Sequence, residues 1–123
     1  MGTFEQENFL GKLQNKMDIY VHIVYKLTKK FPKDELYGTT SQIRRATLSI
    51  ILNFIEGYAR QKKAVKRNFW EISFGSLKES KYLLNFSLAE DFITKEEYKL
   101  ANDLAEEISA MLWTALKPLN IES

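Results

Sequence analysis

The stretch that decides the fold runs from Phe31 to Arg60 and reads FPKDELYGTTSQIRRATLSIILNFIEGYAR. It contains a helix stop at Pro32, because the residue before a proline is pushed out of the α region. A new helix is predicted to start at the hydroxyl residues Thr39–Ser41, which favour N-caps, and to end near Arg60. Between Ala46 and Ile55 this helix is apolar around most of its circumference. An ordinary surface helix has one apolar stripe, so we expect neighbouring helices and another subunit to cover it.

Three other segments repeat apolar residues at the three- and four-residue spacing of a helix face. They cover residues 9–30, from 63–67 to 88, and 94–118. The last opens with Thr94-x-x-Glu97, in which each side chain can satisfy the other's free backbone donor. Gly75-Ser76, inside the third helix, predicts the close approach of a neighbour. Four long helices with short connections predict an all-α protein, an antiparallel up-down-up-down four-helix bundle that forms a single domain over residues 1–123.

The composition is that of a soluble globular protein, with 45% hydrophobic and 28% charged residues among 123. No apolar run approaches the length of a membrane span, so we expect no membrane contact. The sequence has no cysteine, which excludes disulfides and thiolate metal sites and fits a cytoplasmic location. The charges are segregated: residues 1–70 carry thirteen Lys/Arg against six Asp/Glu, and residues 71–123 carry five against ten. Such segregation concerns partners rather than fold.

Residue patterns for catalysis or metal binding are missing from the sequence. His22 is the only histidine and has isoleucine three residues before it, so the Glu-x-x-His pattern of di-iron bundles does not occur. A catalytic zinc site needs about three protein ligands, and the sequence has neither a nucleophile elbow nor a phosphate-binding glycine loop. We therefore expect no enzyme activity, no cofactor and no metal, with His22 at the surface or core edge.

The clearest functional signal is a cluster of cations between the second and third predicted helices. Five Lys or Arg occur within eight residues, and no acidic residue interrupts them. Clustered cations contact phosphates and give affinity without reading sequence, although a solvated turn that only keeps the protein soluble has the same composition. The candidate nucleic-acid-binding residues are Arg60, Lys62, Lys63, Lys66 and Arg67.

A second group of polar residues falls within the predicted core helices. Asn53 and Glu56 are three residues apart and therefore neighbours on the second helix. Arg45 lies three turns before Glu56 on a similar face, and Ser76 belongs to the third helix. Because buried polar groups need hydrogen-bond partners, we expect Arg45, Asn53, Glu56 and Ser76 to form a structural polar network. A ligand site made from the same groups is the alternative.

The Phe31–Arg60 block and a second block around Phe69 resemble the four-helix-bundle family of 23S ribosomal RNA intervening-sequence proteins. The residues that carry the resemblance are Phe31-Pro32, Glu35, Tyr37-Gly38, Gln42, Arg44-Arg45-Ala46, Ser49, Asn53, Glu56-Gly57, Phe69, Gly75-Ser76-Leu77 and Glu79. The resemblance implies a bundle that assembles into a homo-oligomeric ring, commonly a pentamer. It also implies a relationship to the accessory protein of diversity-generating retroelements, which binds nucleic acid and a reverse transcriptase.

Three functions remain open from the sequence. The first is a non-enzymatic oligomeric bundle that binds structured RNA or DNA through phosphate contacts at the cation cluster. The second is a protein–protein adaptor that presents an acidic fourth helix to a basic partner, such as a nucleic-acid-processing protein. The third is a structural assembly module. All three predict self-association, because the second helix has excess apolar surface. The acidic residues of the adaptor hypothesis are Glu96, Glu97, Asp103, Glu106 and Glu107.

Overall fold

The computed structural model describes residues 3–120, which form four α-helices joined by short turns. The helices are α1 (Thr3–Thr28), α2 (Ser41–Tyr58), α3 (Lys63–Ala89) and α4 (Lys95–Leu116). A 3-10 turn (Lys33–Glu35) and a π turn (Leu36–Thr40) precede α2, and a second 3-10 turn (Lys117–Leu119) follows α4. Residues 3–120 contain no strand. The all-α class and the four helices predicted from the sequence are confirmed.

The helices enclose one apolar core to which all four contribute. α2 packs against both α1 and α3, and α4 packs against both α3 and α1. Six buried apolar positions of α1 recur at alternating steps of three and four, which keeps one face of the helix turned inward. These positions are Leu10, Leu13, Met17, Tyr20, Val24 and Leu27.

The buried face of α3 alternates large apolar residues with serines in the order Trp70, Ser73, Leu77, Ser80, Leu84, Ser87. Two of these serines form hydrogen bonds to the neighbouring helices. Ser73 Oγ donates to the carbonyl oxygen of Ile50 at 2.7 Å, and Ser80 Oγ lies 2.8 Å from the hydroxyl of Tyr20. Burial raises the pKa of Tyr20 to about 12, so the phenol is neutral at ordinary pH. These buried bonds fix the position of α3 against α1 and α2.

The connection between α1 and α2 contains a 3-10 turn and a π turn. The predicted hydroxyl N-cap was wrong: Thr40, which directly precedes α2, makes no capping hydrogen bond. Instead the Glu35 carboxylate accepts the Thr39 backbone N–H at 3.1 Å and the Thr39 hydroxyl at 2.7 Å. Those two hydrogen bonds lower the pKa of Glu35. The chain already has helical geometry before α2, so an acceptor one turn earlier replaces the cap.

α4 begins with the capping box that the sequence predicted. The Glu97 backbone N–H donates to Thr94 Oγ1 at 3.1 Å, and the Thr94 backbone N–H donates to Glu97 Oε1 at 2.9 Å. The ammonium of Lys30 also donates to Glu97 and joins α1 to α4. The hydrogen bond from Lys30, followed by the one from Thr94, lowers the pKa of Glu97.

The close helix approach predicted at Gly75 occurs instead at Gly57. Gly75 is exposed, and a Cβ built there would meet no described atom within 4 Å, so the prediction was wrong for this glycine. A Cβ on Gly57 would lie 2.4 Å from Cδ1 of Trp70 and 3.1 Å from the carbonyl oxygen of Lys66. α2 and α3 therefore touch directly at the end of α2, where the cation cluster begins.

Candidate nucleic-acid interface

The basic turn, defined here as residues 59–67, rests on a packed aromatic base. The indole N–H of Trp70 donates to the carbonyl oxygen of Phe54 at 3.0 Å, and the two rings stack with centroids 5.0 Å apart. Both residues are buried, and Gly57 lies directly against the indole. The short connection between α2 and α3 is therefore held at a fixed position relative to the core.

Arg60 is partly engaged by its own helix end. Its Nη2 donates to Glu56 Oε1 at 2.6 Å, and its guanidinium lies 5.3 Å from the centroid of the Phe69 ring. Both members of the ion pair are about half exposed, and an exposed pair of this kind contributes about 0–1 kcal/mol. A phosphate can therefore displace the Glu56 carboxylate at small cost.

Lys62 and Lys63 are the most available cations of the basic turn. Lys62 has extended backbone geometry directly before α3, and Lys63 is the first residue of the helix. Both are exposed, and neither side chain forms an ion pair or hydrogen bond within residues 3–120. The first turn of α3 contains no acidic residue, so the positive end of the helix dipole adds to their charge.

Lys66 and Arg67 are held against the side of α3. The Lys66 ammonium lies 5.6 Å from the centroid of the Trp70 ring. Arg67 Nε is 3.8 Å from Glu71 Oε2, which is too far for a hydrogen bond, and this buried nitrogen has no hydrogen-bond partner among the described atoms. The five candidates thus comprise two exposed lysines and three cations whose side chains already contact a neighbouring residue.

Near the connection between α1 and α2, too, some cations contact a neighbouring side chain and another is exposed. Arg44 is used internally, because its Nε donates to Thr28 Oγ1 at 2.8 Å and its guanidinium lies 4.6 Å from the centroid of the Tyr25 ring. Lys30 is paired with Glu97. Arg45 is exposed beside the outer surface of α2.

The structure brings together only half of the expected polar network. Asn53 Nδ2 donates to the carbonyl oxygen of Ser49 at 2.9 Å and to its hydroxyl at 3.0 Å, and Ser49 Oγ lies 2.7 Å from Ser76 Oγ. Ser49 therefore joins Asn53 on α2 to Ser76 on α3. Arg45 and Glu56 are exposed and lie outside these bonds. Sequence reasoning missed Ser49, although its position one turn before Asn53 was a usable signal.

The acidic residues of α4 are largely balanced by lysines. Asp103 accepts from Lys99 at 2.7 Å within the helix, and Glu97 is paired with Lys30, which follows α1. The remaining two pairs cross between helices: Lys16 Nζ–Glu107 Oε2 at 3.0 Å and Lys81 Nζ–Glu106 Oε1 at 3.0 Å. Only Glu96 among the five has no ion pair within the described chain.

Residues 3–120 contain no group of three or more His, Asp or Glu arranged to hold a metal ion. His22 is exposed on α1, with its Nε2 3.4 Å from Asp18 Oδ1 one helical turn earlier. None of the helices in this range is both long enough and apolar enough to cross a membrane.

The described chain is thus a four-helix protein whose candidate site is a set of surface cations. The sequence profile of the 23S rRNA-intervening sequence protein family matches residues 12–114. The chain belongs to this family, which confirms the resemblance. A protein with unknown function from the S23 ribosomal protein family of Bacteroides thetaiotaomicron has a similar crystal structure, with a TM-score of 0.80 and 24% identity over 85% of this chain and 98% of that chain. This likeness shows the fold. No functionally curated protein matches the chain.

Proposed function

We propose that the protein is a non-enzymatic, homo-oligomeric helical bundle that binds RNA through phosphate contacts at the basic turn. The observation that carries the proposal is the pair Lys62 and Lys63, exposed and unpaired within residues 3–120 at the N-terminal end of α3. Lysines and helix N-termini both attract phosphate. Arg60, Lys66 and Arg67 extend the same positive surface and can exchange their present contacts for phosphate oxygens.

Self-association is supported by the outward face of α2. Leu48, Leu52 and Ile55 recur at helical spacing on the side opposite the buried residues, and Leu52 is 57% exposed. Beside them, a shallow groove of about 730 Å³ is bordered by Tyr37 and Arg45. Adjacent exposed apolar residues mark interaction surfaces, and another subunit supplies matching ones. The assembly we propose is a ring, a pentamer by resemblance, which repeats the basic turn once per subunit.

Within each subunit we propose the antiparallel up-down-up-down arrangement. It is supported by the order of contacts between α2 and α3, where Ile50 contacts Ser73 and Phe54 contacts Trp70. Short connections between successive helices favour the same topology. In this arrangement the basic turn lies at the opposite end of the bundle from the connection between α1 and α2.

RNA is the nucleic acid we favour, because the family name connects its members with an intervening sequence of 23S rRNA. The basic turn offers charge but no arrangement of groups for reading base edges, so the expected target is a folded RNA recognised by its backbone and shape. We also propose a cytoplasmic location, where such RNA is available. The adaptor alternative is supported less well, because lysines already pair with most of the acidic residues of α4.

The test is fluorescence anisotropy with a labelled structured RNA at about 50 and 200 mM salt, a range in which several phosphate contacts change affinity by orders of magnitude. The variant Lys62→Ala/Lys63→Ala should weaken binding and reduce the slope of log affinity against log salt by about 1 per lysine removed. The matched control, Lys29→Ala/Lys33→Ala, removes the same charge near the other helix connection and should bind as the wild type does. Equal affinity of both variants for RNA would refute the proposed interface.

A further inference from the structure

A cleft of about 310 Å³ lies between the N-terminal half of α3 and the end of α4, next to the basic turn. Its walls include Phe74 of α3 and Trp113 of α4, whose ring centroids are 6.1 Å apart at an interplanar angle of 44°. Trp113 is 55% exposed, which is unusual for a residue whose ring is the largest apolar surface available to a side chain. The volume is at the lower end of the range for small-ligand sites.

Two cations line the same cleft. They are Arg67 of α3 and Lys117, which follows α4 directly and lies one helical turn after Trp113. Arg67 Nε is buried without a hydrogen-bond partner in the described chain, while the side chain as a whole keeps 30% of its exposure. Among residues 3–120, the only acidic residue in the lining is Glu71, 3.8 Å from that nitrogen. The cleft therefore combines an exposed aromatic face with a guanidinium whose donors are incompletely used.

We propose that this cleft binds an unpaired nucleotide of the RNA, with its base stacked on Trp113 and its phosphate held by Arg67 and Lys117. This inference rests on the proposed RNA-binding function and adds a class of substrate to it: RNA with unpaired bases. Phe74 and Trp113 already contact each other, so the base lies on the exposed face of the indole rather than between the two rings. An arginine can hold a phosphate with two parallel hydrogen bonds. The two Nη groups of Arg67 form no hydrogen bond within the described chain, so they are the donors that hold the phosphate, while Nε stays buried.

The position of Lys63 connects the cleft with the basic turn. Lys63 lies four residues before Arg67, so the two side chains are neighbours on one face of α3, about 5–6 Å apart at Cβ. A strand whose base occupies the cleft can place its next phosphate at Lys63, which is exposed. Stacking is tolerant of base identity because every base has a π face. The expected preference is for unpaired over paired bases, without sequence specificity.

The test compares two RNAs with the same number of nucleotides, a single-stranded oligoadenylate and a blunt-ended duplex, in the intact protein and in Trp113→Leu. Loss of one stacking contact should weaken oligoadenylate binding roughly 5- to 150-fold and leave duplex binding unchanged, because a paired base cannot enter the cleft. Tyr82→Leu is the matched control: Tyr82 is an exposed aromatic residue of α3, but its groove is lined by Glu35 and Glu79. This control should leave binding of both RNAs unchanged.

Tryptophan fluorescence gives an independent readout. The chain has two tryptophans, and Trp70 is buried, so quenching by oligoadenylate should come from Trp113 and disappear in Trp113→Leu. Adenosine monophosphate, which offers one phosphate, should bind far more weakly than the oligomer.

Several results would overturn the inference. Unchanged oligoadenylate affinity in Trp113→Leu would refute the cleft while leaving the basic turn intact, provided that Lys62→Ala/Lys63→Ala still weakens binding. Equal weakening for both RNAs would assign Trp113 a structural role, and mononucleotide binding as tight as that of the oligomer would refute an RNA segment as the occupant. Failure of the wild type to bind either RNA would overturn both the cleft and the proposed function.

Discussion

Replacement of Gly57 by alanine tests the contact that supports the basic turn. The new Cβ would lie 2.4 Å from Cδ1 and 2.5 Å from Nε1 of Trp70. The indole cannot retreat freely, because it is buried, stacked on Phe54 and hydrogen-bonded to the carbonyl oxygen of Phe54. Overpacking in such a site costs about 1–3 kcal/mol, and a lost hydrogen bond adds about 0.5–1.5 kcal/mol. Alanine regains about 1 kcal/mol of helix propensity over glycine, so we expect a net loss of about 0.5–3.5 kcal/mol.

Urea unfolding at fixed protein concentration measures this loss, and concentration must be held constant because association contributes to stability. Gly75→Ala is the matched control: it is the same substitution inside a helix, but its Cβ meets no described atom within 4 Å. There the propensity gain should stand alone and stabilise by about 1 kcal/mol. A Trp113→Leu background leaves Trp70 as the fluorescent reporter, and its emission should shift only with Gly57→Ala. If Gly57→Ala proves as stable as the wild type, with unchanged Trp70 emission, the close contact does not exist.

Leu52→Asp should convert the assembly to monomers, because a charge in an apolar interface is costly to desolvate, and light scattering measures the mass. Leu100→Asp, at a residue 61% exposed on α4, should leave the assembly intact. An unchanged mass for Leu52→Asp would contradict the interface. Tyr20→Phe should cost about 1 kcal/mol at neutral pH by removing the hydrogen bond to Ser80. Because the pKa of Tyr20 is raised from 10.0 to about 12, the free energy of unfolding of the wild type should fall by about 1.4 kcal/mol per pH unit across that range relative to the phenylalanine variant. The phenylalanine variant should become the more stable of the two near pH 11. A stability difference between the two proteins that does not change with pH would refute this. The pKa of Glu97 is lowered from 4.5, so its stabilisation is present above that pH and lost as the pH falls through the folded pKa. The stability advantage over Glu97→Gln should shrink accordingly in acid unfolding, and a constant difference would contradict the assigned hydrogen bonds.

The helices could be predicted from the sequence because each is marked by local signals. The capping box at Thr94 and Glu97 lies within one turn, and the apolar spacing from Phe9 to Leu27 marks one face of one helix. The entry to α2 could not be predicted in the same way. Its acceptor is Glu35, reached through a π turn whose backbone departs from helical geometry at Gly38, and sequence patterns carry no signal for such a turn.

The site was harder to predict than the fold, because its chemistry depends on which side chains meet in space. Five cations in eight residues read as equivalent in the sequence, yet Arg60 faces Glu56, while the side chains of Lys62 and Lys63 have no ion-pair or hydrogen-bond partner within residues 3–120. The cleft at Trp113 is also lined by Arg67 of α3, which lies 46 positions earlier in the sequence. Periodicity assigns Trp113 to a helix but cannot show that a cation from another helix lies beside it.

The charge segregation of the sequence acquires a physical meaning once α1 and α4 are neighbours. Lys16 of α1 pairs with Glu107 of α4, and Lys30, just after α1, pairs with Glu97, so part of the opposite charge of the two halves cancels across this contact. Exposed pairs add little stability, but they remove the local field, which salt already limits to about 8–10 Å. Lys62 and Lys63 escape this cancellation at a helix N-terminus, where the dipole adds to their charge. At the connection between α1 and α2, Lys30 is paired with Glu97, and Asp34 and Glu35 directly follow Lys33. No acidic residue lies between Arg60 and Arg67. An approaching polyanion therefore meets the stronger attraction at the basic turn, which is why equal charge removal at the two ends should have unequal effects on RNA binding.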